Sequence, residues 1–79
     1  MARIDWRERV AIDPDIHHGE SCIRGTRIPV VIIVGSLADG MSFEEILREY
    51  PQLSEEDIRA ALAYAAEVLE NETLAPRVT

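Results

Sequence analysis

The apolar positions of this chain change period along its length. Arg9-Val10-Ala11-Ile12 alternates weakly, and the spacing predicts a short strand. Asp13-Pro14-Asp15 is a turn signal, because Asp bonds its own backbone and Pro fixes φ. Ile16 to Ser21 reads as a loop containing Gly19, and Cys22 to Ile28 as a second extended piece. The two pieces are expected to pair as a hairpin across a loop of about nine residues, longer than most hairpin loops.

From Pro29 to Asp39 propensity and punctuation disagree. Val30 to Val34 is β-branched throughout, which favours a strand. Pro29 suits the first position of a helix, Gly40 suits the residue just past one, and Val30, Ile33, Val34 and Leu37 fall at i, i+3, i+4, i+7. A helix over 29–39 is the expectation. Val31 and Ile32 then lie off the main stripe, making the helix apolar nearly all round. Such a helix is buried on more than one side, which points to a partner.

Two further helices are plainly marked. Ser42-Phe43-Glu44-Glu45 is a capping box, followed by a stripe of Phe43, Ile46, Leu47 and Tyr50, and stopped by Pro51. Ser54 caps the next helix, with Glu55, Glu56 and Asp57 at its positive end. Ile58, Leu62, Ala65 and Leu69 continue its apolar stripe, and Ala61 and Ala66 keep the flanks small. This helix should fade over 70–72, leaving Thr73 to Thr79 as a loose tail. The predicted organisation is an arm at 1–8, a β-ribbon at 9–28, three helices within 29–71 and a tail at 72–79. The fold class is mainly α, with the Tyr50-Pro51-Gln52-Leu53 junction giving the second and third helices the form of a helix-turn-helix.

Composition narrows the functional classes. At 79 residues a lone core is marginal, so help from a partner or from self-association is a reasonable expectation, and a homodimer or higher oligomer is expected when no partner is present. All 8 basic residues are arginine, against 15 Asp plus Glu, for a net charge of -7. That field opposes nucleic acid and favours a basic protein partner. Cys22 is the single cysteine, which excludes an internal disulfide and suits a reducing, cytoplasmic interior. The start has no apolar signal-like region, and no apolar run is long enough to span a membrane.

The most distinctive chemistry lies in Cys22-Ile23-Arg24-Gly25-Thr26-Arg27-Ile28-Pro29-Val30. Two arginines flank Gly25 and Thr26 within an apolar frame. An arginine fork recognises carboxylate or phosphate in two-point geometry. Alternation along a regular strand puts Arg24 and Thr26 on one face and Arg27 on the other. One arginine is then expected to be an internal clamp to an acid such as Glu44 or Glu45, and the other a surface display. Arg27, beside the start of the first helix, is the expected clamp.

Gly19, the segment from Cys22 to Val30, Gly40-Met41-Ser42 and Tyr50-Pro51-Gln52-Leu53-Ser54-Glu55-Glu56-Asp57-Ile58 together resemble a bacterial and archaeal family, domain of unknown function 433, which includes VapB-like antitoxins. The likeness covers about residues 9 to 69. It implies a homeodomain-like helical fold and the antitoxin half of a type II toxin–antitoxin pair, with a PIN-like ribonuclease as toxin. The family usually carries glycine-lysine-proline ahead of the arginine segment. Here that run is Gly19-Glu20-Ser21, so the loop has an acid in place of its basic residue and lacks the rigid proline.

The function expected from charge and resemblance is an acidic module that occludes the cationic cleft of a toxin nuclease, steered by opposite charge. Arg24, Gly25, Thr26, Arg27, Val31 and Ile32 are the candidate partner-binding residues. The alternative is a DNA-binding regulator, with its own operon as one target, using Arg24, Arg27, Ser54 and Arg59. The acids in the first turn of the third helix oppose that role, and any binding by this chain alone should be weak. His17, His18 and Cys22 are too few and poorly arranged for a metal site. A Cys22–His18 nucleophile lacks an orienting group. Neither a cofactor fingerprint nor an enzymatic constellation is visible. Trp6 reads either as an interface anchor or as a cover over the small core.

Overall fold

A computed structural model of the chain describes residues 2–12, 15 and 19–72. Asp13-Pro14, His17, His18 and the tail at 73–79 lie outside the described residues. A 3-10 turn, Trp6–Glu8, leads into β1 (Val10–Ile12), β2 (Ser21–Ile23) and three helices, α1 (Val30–Ala38), α2 (Phe43–Glu49) and α3 (Glu55–Glu70). The fold is mainly helical with a two-stranded ribbon in front, as the apolar pattern predicts.

β1 and β2 are antiparallel, with Val10 opposite Ile23, Ala11 opposite Cys22 and Ile12 opposite Ser21. Val10 and Ile23 are both buried, so this pair directs one ribbon face into the core. The extended segment expected from Cys22 to Ile28 is interrupted. The chain turns after Ile23, with Thr26 N–H donating to Ile23 O at 3.0 Å and Ile23 N–H to Ile28 O at 3.0 Å. Gly25 sits in this turn at φ 82°, a conformation that glycine adopts without a Cβ clash. Beyond it the chain returns, and Pro29 bridges Cys22.

The first helix forms despite its β-branched residues, because its ends are well specified. Pro29 is the cap residue rather than the first helical one, with φ -67° and ψ 145°, and the helix begins at Val30. At the other end Gly40 N–H donates to Leu37 O and Met41 N–H to Ser36 O, each at 3.0 Å. With Gly40 at φ 100° this is a Schellman stop. Only Met41 separates Gly40 from Ser42, which caps α2: Glu45 N–H donates to Ser42 Oγ at 3.1 Å, and Ser42 N–H to Glu45 Oε1 at 2.8 Å. The bond from the Ser42 backbone N–H and, after it, the Ser42 hydroxyl hold the Glu45 carboxyl below its ordinary pKa.

α1 and α3 pack on each other and on the ribbon. Ile23, Ile33, Ile46 and Ile58, the largest fully buried side chains, give the ribbon and each helix one central contact. The expected stripe of α1 is confirmed: Val30 and Ile33 are buried, with Val34 and Leu37 half-buried against them. Burial on more than one side is not met within this chain, because Val31 and Ile32 are exposed. Among the described residues, no helix is long and apolar enough to cross a membrane.

Candidate partner-binding surface

The arginine turn is built by its own side chains. Thr26 Oγ1 donates to Ile23 O at 2.8 Å and accepts from Ile28 N–H at 3.0 Å, so the threonine is a brace inside the turn. Arg24 Nη2 donates to Arg7 O at 3.0 Å and to Val10 O at 3.2 Å. Its backbone N–H also donates to Arg9 O at 2.7 Å. Arg24, expected to be the surface display, is therefore a clamp, and its target is backbone carbonyl rather than a helix carboxylate. The physical reason is the Gly25 turn, which ends strand alternation and lets Arg24 fold back along β1. Arg27, later in the same segment, is exposed.

A second tie was not foreseen. Arg9 Nη1 donates to Asp57 Oδ1 at 3.1 Å, and Ser54 N–H donates to the other oxygen of the same carboxylate at 3.0 Å. Asp57 is thus a buried structural acid joining the ribbon to the start of α3, rather than a solvated charge at a helix end. Nearby, Asp5 caps the 3-10 turn by accepting from Arg7 N–H at 3.1 Å. Trp6 is half-buried, donates from Nε1 to Glu67 Oε1 at 3.1 Å, and meets the Tyr64 ring edge-on at 4.8 Å. Arg7 lies over the Trp6 ring at 4.6 Å and pairs with Glu67 at 2.9 Å. Trp6 is accordingly a cover that seats the N-terminal segment on α3.

An apolar surface remains. Val31 and Val34 of α1 and Tyr64, Val68 and Leu69 of α3 line an open hollow of about 330 Å3, with Ser21 of β2 among its walls. Val31 is 62% exposed, Val68 47% and Leu69 65%. Ile12, 56% exposed, lies directly opposite Ser21 and extends the surface along the ribbon. Of the candidate partner-binding residues, Val31 belongs here, whereas Arg24, Gly25, Thr26 and Arg27 form the turn at the other end of β2. Ile32, 41% exposed, is not part of the lining. The hollow depends on residues 38 positions apart in sequence, Val31 and Leu69, which periodicity alone does not bring together.

Two residues of the DNA-binding alternative, Ser54 and Arg59, have different settings on α3. Ser54 is occupied as the α3 cap, accepting from Asp57 N–H at 3.2 Å. Arg59 lines a separate hollow with Arg3, Ile4 and Leu62. Cys22 is buried, its thiol 3.7 Å from Glu20 O. Burial, and secondarily the Glu20 charge, push that thiol above its ordinary pKa, which disfavours the thiolate a nucleophile requires. Among the described residues no group of three or more His, Cys, Asp or Glu is arranged to hold a metal ion.

These features define a small ribbon-and-three-helix domain with a braced arginine turn and an uncovered α1–α3 hollow. Residues 10–65 match the family described as "Protein of unknown function (DUF433)", and the chain belongs to that family. It is 46% identical over 59 residues to the uncharacterized protein y4eO of Sinorhizobium fredii. That match takes in 75% of this chain but 27% of the relative. The fold also resembles the crystal structure of a DUF433 member from Anabaena variabilis, with a TM-score of 0.76 and 36% identity. That likeness covers 81% of this chain and 63% of the other. The chain therefore spans little more than a quarter of the rhizobial relative and under two thirds of the solved protein.

Proposed function

We propose that this domain is an acidic protein-binding module, the antitoxin of a type II toxin–antitoxin pair that neutralises a PIN-like ribonuclease. The observation that carries the reading is the combination of a net charge of -7 with exposed Val31, Val68 and Leu69 on one face. A cationic nuclease cleft attracts such a surface over long range, and apolar contact then slows its release. No catalytic role is needed, since occlusion is sufficient. DNA binding, including control of its own operon, is the weaker reading. The first turn of α3 presents Glu55 and Glu56, while Ser54 and Asp57 are committed to each other.

The test is co-purification with the product of the neighbouring gene, followed by an RNA-cleavage assay of that product. Tight association and suppression of cleavage at equimolar ratio are expected. A neighbouring nuclease that neither binds nor loses activity in excess of this chain would end the antitoxin reading.

A further inference from the structure

We infer that residues 3–8 form a releasable strap across α3, latched by Glu67, and that its opening joins the hollows on either side of it into one apolar face. The inference goes beyond the antitoxin reading and stands whatever the partner is.

The ties of the strap converge on two carboxylates of α3. Glu67 Oε1 accepts from Trp6 Nε1 at 3.1 Å and Oε2 from Arg7 Nη2 at 2.9 Å, while Arg7 covers the Trp6 ring at 4.6 Å. One turn further along, Glu70 pairs with Arg3 at 3.2 Å. Both ion pairs are open to water, and such pairs weaken as salt rises. No residue of the 3-10 turn is fully buried. Between Arg3, Ile4 and α3 the packing leaves an open hollow of about 270 Å3. The helices are anchored differently, by the fully buried Ile33, Ile46 and Ile58. Lifting the strap therefore exposes less apolar surface than unfolding does, which is the condition for a local opening.

The hinge is set by Arg9. It is bound to Asp57 at 3.1 Å, and buried Val10 follows it in β1, so the ribbon stays in place when the strap lifts. Arg24 then gives up its bond to Arg7 O and keeps the one to Val10 O. What is uncovered follows from helix spacing. Glu67 comes four residues after Ala63 and three after Tyr64, so it neighbours both on the surface of α3. Ala63 lines the hollow beside Arg3, and Tyr64 lines the α1–α3 hollow. Trp6, bonded to Glu67 and edge-on to Tyr64 at 4.8 Å, is the partition between them.

The test is hydrogen exchange of the Trp6 indole N–H, read by NMR on the whole chain. The references are the amides of Ile46 and Ala61, inside α2 and α3, and the indole of an unstructured tryptophan peptide. Between about 0.01 M and about 1 M sodium chloride, the Trp6 indole is expected to exchange about tenfold faster relative to the peptide. Both amides should keep their rates. Glu67→Ala should bring the indole close to the peptide rate even at low salt. Glu67→Gln keeps an oxygen for the indole but loses the ion pair, so it should fall between the two and lose most of the salt dependence. Nile red, an uncharged apolar dye, should brighten with Glu67→Ala and not with the parent at low salt. Exchange of the indole and the helix amides at one common rate at every salt concentration would overturn the inference, because the segment would then leave only on global unfolding. Parent-like exchange in Glu67→Gln would remove the ion pair as the latch and overturn it too. So would a freely exchanging indole in Glu67→Ala with no gain in dye emission, since no joined apolar face would have formed.

Discussion

Arg9 and Asp57 form a junction between the ribbon and α3 in which one carboxylate serves two partners: Oδ1 accepts from Arg9 Nη1 at 3.1 Å and Oδ2 from Ser54 N–H at 3.0 Å. The side chain of Asp57 is 13% exposed and that of Arg9 39%, so the pair is only partly screened by water. Removing the acid leaves the Ser54 N–H without its acceptor and the Arg9 guanidinium with only the longer bond to Ser54 Oγ, at 3.5 Å. Asp57→Ala is expected to destabilise the domain by about 2–3 kcal/mol. Arg9→Ala should cost less, about 1 kcal/mol, since the capping bond survives. Urea denaturation of both variants and of the double variant checks this. Strict additivity would show that the two side chains do not communicate.

Arg24 and Arg27 should differ in kind. Arg24 donates to two carbonyls of the preceding segment, but it is exposed, so Arg24→Ala is expected to cost a modest amount, about 1 kcal/mol. For a domain of this size that corresponds to a drop of about 4–8 °C in melting temperature. Arg27→Ala, at an exposed position, should stay within about 0.5 kcal/mol. Thermal melts followed by circular dichroism distinguish them, and equal losses would remove the distinction.

Two glycines predict opposite signs. An added Cβ meets nothing within 4 Å at Gly25 or at Gly35. At Gly25 the φ of 82° still penalises a side chain, and Gly25→Ala should destabilise by about 1 kcal/mol. Gly35 lies inside α1, where alanine reduces the freedom of the unfolded chain; Gly35→Ala should stabilise by about 0.5–1 kcal/mol. Chemical denaturation of the pair reads the sign directly.

The buried Cys22 thiol has its folded-state pKa raised by desolvation and by Glu20. A neutral group whose pKa is raised by folding stabilises the fold below its unfolded pKa, about 8.5 for cysteine. That contribution is lost as pH rises through and above this value. Iodoacetamide labelling near neutral pH should therefore be much slower in the folded chain than in urea. Cys22→Ala should flatten the fall in stability on the alkaline side. Fast labelling of the folded chain would contradict the burial.

Local punctuation made most of the fold legible. Ser42 with Glu45 and Ser54 with its acids mark helix starts from sequence alone, because capping is a matter of three residues. α1 was readable for a similar reason: Pro29 and Gly40 fix its ends, and tertiary packing of Val30 and Ile33 overrides the strand preference of valine and isoleucine. Cys22 to Ile28 misled, because alternation of apolar residues does not reveal that Gly25 reverses the chain. The junction of Arg9 with Asp57 was out of reach, since it joins residues 48 apart and its acid looks like any other first-turn carboxylate. The apolar surface was half legible: Val31 stood out as surplus on α1, but its companions Val68 and Leu69 become neighbours only once α3 packs across it.

Trp6 is the single tryptophan of the chain, and its surroundings make it an optical probe already in place. Its indole N–H is hydrogen-bonded to Glu67, one ring face is shielded by the Arg7 guanidinium, and Tyr64 stands edge-on beside it. Lifting the N-terminal segment off α3 would hydrate the ring and redden its emission while the helices, and hence the far-ultraviolet dichroism, stay intact. Global unfolding would move both signals together. Tryptophan emission compared with dichroism thus times the release of this segment separately from the melting of the helices, without any label.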